Sequence, residues 1–159
     1  MDILLPEYKK MLIMLVKHDV KFMLIGGYAV IFHGYERFTT DMDIFLEPEN
    51  KNRDKLITAL KEFGIEKESL HKLSALDFNK IQMFHFGERP RRIDFLTKIN
   101  LVTFNEAVKE TKPFPLGNII VPVIQYRHLI LSKMTTDRPQ DKADVEMLQK
   151  INRLKKNPD

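Results

Sequence analysis

The 159-residue chain contains no cysteine and no tryptophan. Without cysteine it can form no disulfide, offer no thiolate nucleophile and build no cysteine-ligated zinc site. No apolar run approaches the roughly 18–20 residues needed to cross a bilayer, so no membrane association is expected. The opening "MDILLPEYKK" begins acidic and lacks the charged n-region and long apolar core of a secretory signal, and the absence of cysteine fits an expected cytoplasmic location. Repeats, low-complexity segments and linkers are absent as well. The five histidines show no paired spacing for zinc, and Ser74 and Ser132 have no base–acid pattern for nucleophilic catalysis.

What remains is ordinary globular composition, 43% hydrophobic and 30% charged, in a length that suits one domain over residues 1–159. Net charge is +4, a mild excess that favours polyanions such as nucleotides or RNA. The basic stretches "ERPRR" (88–92) and "NRLKKNPD" (152–159) read as solvated surface.

Tyr8, Met11, Leu12 and Leu15 recur at helical spacing, and Phe22–Ile25 is a short apolar run ended by Gly26-Gly27, a buried strand. A short helix is expected over Tyr28–His33 and a second strand over Met42–Leu46. Pro48 then fits the first turn of a helix reaching Phe63. Residues 64–80 carry one weak strand at best. "IQMFHF-GERP-RRIDFL" reads as a hairpin, "FNEAVKE" as a short helix and "NIIVPVI" as a strand whose Pro122 favours a sheet edge. One helix closes at Met134. Another starts at Pro139, with Met147, Leu148, Ile151 and Leu154 facing inward. The expected fold is α/β, a mixed sheet flanked by helices with a helical C-terminal part.

The chemistry concentrates in "FMLIGGYAVIFHGYERFTTDMDIFL". Asp41 and Asp43, two apart on a strand, project from one face about 7 Å apart along the backbone and repel unless a cation lies between them. Oxygen ligands of this kind suit Mg²⁺, completed by substrate phosphates. Glycines between a strand and a helix let backbone N–H groups approach a phosphate closely. Arg37 offers a planar fork for phosphate, or a surface ion pair with Glu36 or Glu47, and Thr40 offers a hydroxyl. Asp94, between Ile93 and Phe95 in the second hairpin arm, is costly to bury unless it is paired or ligates metal. Beside the Asp43 strand it makes a three-carboxylate site suited to in-line displacement at phosphorus. Tyr28 reads as a packing residue with stacking on a base as the alternative, His33 as a helix-end histidine within reach of a nucleotide at the cradle, and His85 faces either the site or the core.

Gly26-Gly27 followed by "HGYERFTTDMDI" resembles the signature of the nucleotidyltransferase superfamily, which has the DNA polymerase beta-like fold, with Asp94 as its third acid. More narrowly, residues 22–154 are similar to the AbiEii-type toxins of abortive-infection toxin–antitoxin pairs and their stand-alone relatives. The run Arg37-Phe38-Thr39-Thr40-Asp41 departs slightly from that family's R-x-T-x-D order but keeps the arginine, a threonine and both acids. Lys133, Arg138, Asp141 and Asp144 stand where the family has a lysine, an arginine and D-x-x-D.

The resemblance implies a small nucleotidyltransferase fold and transfer of a nucleoside monophosphate from an NTP to a hydroxyl on RNA or a tRNA end, a protein or a small molecule. Mg²⁺, or Mn²⁺ in its place, would be held by Asp41, Asp43 and Asp94. Gly26, Gly27, Arg37, Thr40 and Lys133 would bind the nucleotide, and a cognate antitoxin would be a partner. Asp141 and Asp144 would hold the C-terminal part against the site, or simply cap the last helix and pair with Lys133 or Arg138. The rival reading is a non-catalytic interaction or nucleotide-sensing module of the same fold.

Overall fold

The computed structural model describes residues 4–157. Helix α1 (Pro6–Lys17) starts on its proline and buries Tyr8, Met11, Leu12 and Leu15, as the spacing demands. Strand β1 (Phe22–Ile25), buried throughout, runs directly into α2 (Gly26–Phe32). Strand β2 (Asp41–Leu46) then returns antiparallel to β1. Helix α3 (Asn50–Phe63) stops at Gly64, whose left-handed φ of +115° closes it. Asn52, buried on α3, accepts from the Lys21 amide at 2.8 Å and donates to the carbonyls of Lys21 and Glu47. It thereby ties α3 to the outer ends of β1 and β2.

Helix α4 (Lys67–Ser74) precedes the hairpin of β3 (Met83–Phe86) and β4 (Arg92–Leu96). The chain continues through α5 (Phe104–Ala107), a 3-10 turn (Val108–Glu110), β5 (Lys112–Leu116), β6 (Ile119–Val123), α6 (Tyr126–Met134) and α7 (Pro139–Lys156). The six strands form one sheet in the order β3-β4-β2-β1-β6-β5. β2 and β4 are parallel, as are β1 and β6. The result is a mixed sheet flanked by helices, consistent with a small nucleotidyltransferase fold.

Several local expectations are corrected. The glycines do not form a turn ahead of α2 but are its first residues, so that helix begins at Gly26 rather than Tyr28. Pro48 lies outside α3, whose cap is Glu49. Residues 64–80 hold helix α4, anchored by Leu70 and Leu73 alone, too few apolar positions to show a period. Strand β5 carries two prolines in five residues and is tolerated because it is the sheet edge. Pro122 therefore lies not on an edge but on the inner neighbour β6, opposite Pro113, so both missing N–H donors fall at one register position. Leu154 is 60% exposed; α7 buries Leu148 near its middle and turns Leu154 to solvent. No helix of the described residues is long and apolar enough to cross a membrane.

Candidate active site

Strand alternation places Asp41 and Asp43 on the same face of β2. Parallel register sets Asp94 of β4 directly beside Asp43. One carboxylate oxygen from each of Asp41, Asp43 and Asp94 lies within 4.8 Å of the others. On the opposite edge of β2, Ile25 pairs with Asp43, so the next residue, Gly26, lies against the same carboxylate. Gly26 has φ +66°, and a Cβ there would come within 2.8 Å of Asp43 Cγ and closer still to Oδ2. Only glycine satisfies both the backbone angle and the space. At Gly27 a Cβ would fall 2.5 Å from Thr39 Oγ1.

The electrostatics follow from this crowding. Burial, with the charges of Asp41 and Asp94 adding to it and Lys133 partly offsetting it, pushes the Asp43 carboxyl up to about 7. Arg92 lies between the other two acids, Nε donating to Asp94 Oδ2 at 3.1 Å and Nη2 3.6 Å from Asp41 Oδ2. Arg89 reaches Asp41 Oδ2 at 3.4 Å. The main chain of this arm is held in turn by the Tyr8 hydroxyl, which donates to the carbonyl of Arg92 at 3.0 Å. Three convergent acids, offering only hard oxygen donors, fit a divalent cation of the Mg²⁺ or Mn²⁺ type.

These residues line a cavity of about 660 Å³, a size that accommodates a nucleotide. Gly26, Gly27, Thr40, Arg37 and Lys133 all line it too. The structure engages the two cations internally, however. Arg37 pairs with neither Glu36 nor Glu47; its Nε and Nη2 donate to the two oxygens of Asp144 at 2.8 and 2.9 Å. Lys133 Nζ lies 2.9 Å from Asp141 Oδ1 and 3.0 Å from Asp144 Oδ2. Burial works against ionisation of Asp141, but hydrogen bonds from Lys133 and Thr136 outweigh it and hold the carboxyl below its usual range. Asp144, fully buried, also accepts from Gln140 at 2.9 Å. Two acids and two cations thus fasten the start of α7 to α6 and to the loop before β2.

Sequence reasoning missed Thr39, which abuts Gly27 and donates to the Asp41 carbonyl at 3.2 Å. It also left Arg92 in a solvated charge run, although its spacing of two from Asp94 puts both side chains on one face of β4. His33 turns away from the acids, its Nε2 2.7 Å from the Ile124 carbonyl. Tyr28 packs edge-on against Tyr8, ring centres 5.5 Å apart. His85 is exposed, opposite Asp94 in the hairpin register.

No curated protein matches the chain. A family model described as "Nucleotidyl transferase of unknown function (DUF2204)" matches residues 5–158. It supports the resemblance at the level of nucleotidyltransferases and does not reach the narrower AbiEii-type group. Across nearly its whole length, then, the chain belongs to this nucleotidyl transferase family.

Proposed function

We propose that the protein, acting as a single catalytic domain, transfers a nucleoside monophosphate from an NTP to an acceptor hydroxyl. The acceptor oxygen bonds to the α-phosphorus as the bond to the bridging oxygen breaks, and pyrophosphate leaves with the electron pair. The observation that carries this reading is the meeting of Asp41, Asp43 and Asp94 beside a glycine pair in one nucleotide-sized cavity. Asp41, Asp43 and Asp94 would hold Mg²⁺ or Mn²⁺, which would supply charge neutralisation at phosphorus and acidify the acceptor hydroxyl. Asp94 takes the acceptor proton. Its Oδ2 accepts from Arg92, which orients the carboxylate.

Gly26, Gly27 and Thr40 hold phosphate oxygens. Lys133 contributes the one N–H left over after Asp141 and Asp144 are served, and Arg37 its remaining Nη N–H groups. Preorganised positioning and charge supply most of the rate, with no covalent enzyme intermediate. The acceptor is the hydroxyl of an RNA or tRNA end, a protein or a small molecule. The placing of Lys133, Arg138, Asp141 and Asp144 supports extending the reading to an AbiEii-type toxin partnered by an antitoxin.

The test is label transfer. With α-labelled NTPs, Mg²⁺ and total RNA or protein extract, the wild type incorporates label and Asp41→Ala and Asp43→Ala do not. Nucleotide binding without incorporation by the wild type would instead establish the non-catalytic module.

A further inference from the structure

Six cationic side chains line the cavity: Arg37, Arg89, Arg92, Lys98, Lys133 and Arg138. Four of them are already spoken for. Arg37 forks onto Asp144, Lys133 bridges Asp141 and Asp144, Arg92 joins Asp94 and Asp41, and Arg89 reaches Asp41. The side chains of Lys98 and Arg138 make no hydrogen bond or ion pair among the described residues; Arg138 acts on Asp141 only at longer range. Both are exposed and hold no element together.

Their positions follow from the fold. On β4 the alternation that aims Arg92, Asp94 and Leu96 into the cavity continues past the strand end to Lys98. Arg138 caps the start of α7, three residues before Asp141, on the wall formed by the α6–α7 connection. Four of the cavity's cations are thus engaged by acids, and two, from separate chain segments, are not. Unpaired basic groups lining a concave site raise the local concentration of anions. An arginine in that position also offers two parallel N–H groups to a phosphate.

We infer that Lys98 and Arg138 form a clamp for substrate phosphate, separate from the glycine pair and Lys133. This rests on the nucleotidyl-transfer reading. The phosphate belongs either to the triphosphate tail or to a phosphodiester in the acceptor, and the same variants separate the two. Lys98→Gln and Arg138→Gln, with Lys142→Gln on the outer face of α7 as a charge control, are titrated with two probes in Mg²⁺. One is α,β-methylene-ATP; the other is a short single-stranded RNA.

Weakening of about tenfold per substitution for the ATP analogue, with the control unchanged, assigns the clamp to the nucleotide. The same loss confined to the RNA assigns it to the acceptor. Wild-type binding that both variants match, or that the control loses equally, overturns the clamp alone. A wild type that binds neither probe overturns the nucleotidyl-transfer reading, and the clamp with it.

Discussion

Arg37 and Asp144, 107 residues apart in the chain, meet through two parallel hydrogen bonds of 2.8 and 2.9 Å with the acid wholly buried. Lys133 adds a third charged contact to the same carboxylate. Such a pair contributes little net stability when intact, but removing one member strands the other charge away from water. Asp144→Asn therefore lowers unfolding free energy by about 3 kcal/mol or more. Arg37→Lys, which keeps charge but not the fork, loses roughly 1–2 kcal/mol. Urea denaturation measures both; a loss within error for Asp144→Asn would mean that α7 is not fastened through this acid.

Gly26 and Gly27 differ in what a methyl group would meet, and this orders their variants. Gly26→Ala combines a positive φ with a clash against the Asp43 carboxylate itself, so the acid must move. A displacement near 1 Å at a reacting centre costs about 100-fold in turnover. Gly27→Ala meets Thr39 at both Oγ1 (2.5 Å) and Cβ (2.9 Å), so the loop before β2 must shift. It needs no positive φ and displaces no acid directly, and it loses about tenfold or less. Label transfer by the two purified variants at matched thermal stability checks the ranking. Equal losses would place the sensitivity in the glycine backbone rather than in the neighbours.

How much of this was legible beforehand differs by feature. The carboxylate triad was, because strand alternation fixes Asp41 and Asp43 and the hairpin signal carries Asp94 with it. Helix α1 was legible for the same reason, a clean period. Helix α4 and strand β5 were not. Both depend on neighbours: two leucines packed against α3 in one case, an edge position that forgives prolines in the other. The partners of Arg37 and Lys133 were only half visible. Asp141 lies near Lys133 in sequence, but no local rule selects Asp144 for Arg37 over the adjacent Glu36. Thr39 escaped notice because it matters through its approach to Gly27 on another segment, and Arg92 because it reaches Asp41 on the neighbouring strand as well as Asp94 on its own.

Tyr8 links the first helix to β4, the strand that carries Asp94. Its hydroxyl donates to the carbonyls of Arg92 at 3.0 Å and Pro90 at 3.3 Å, and burial raises its pKa well above the usual range, so it remains a neutral donor. Tyr8→Phe removes only the hydrogen bonds and leaves the ring packed on Tyr28. The expected stability loss is about 1 kcal/mol. Because Arg92 orients Asp94, divalent-metal affinity, measured by calorimetry, should fall several-fold in the same variant. Unchanged metal affinity alongside the stability loss would confine Tyr8 to a packing role.

The Asp43 carboxyl gives the cation-free protein a distinctive pH dependence. Its pKa in the folded state is about 7 against an ordinary 3.8, so over the intervening range the native chain holds a proton that the unfolded chain has released. Stability from this group is complete below about pH 4 and declines as pH rises through 7, where native Asp43 must carry charge beside Asp41 and Asp94. In EDTA the wild type should thus lose stability relative to Asp43→Asn between pH 5 and 8, by on the order of 2 kcal/mol at the upper end. Asparagine cannot ionise, and its curve lacks this component. Millimolar Mg²⁺ should restore the wild type at pH 8 through binding to the folded form alone, and leave Asp43→Asn nearly unmoved. Thermal unfolding of both proteins at four pH values, with and without Mg²⁺, decides the matter: parallel curves in EDTA, or equal gains from the cation, would show that the three acids do not share one site.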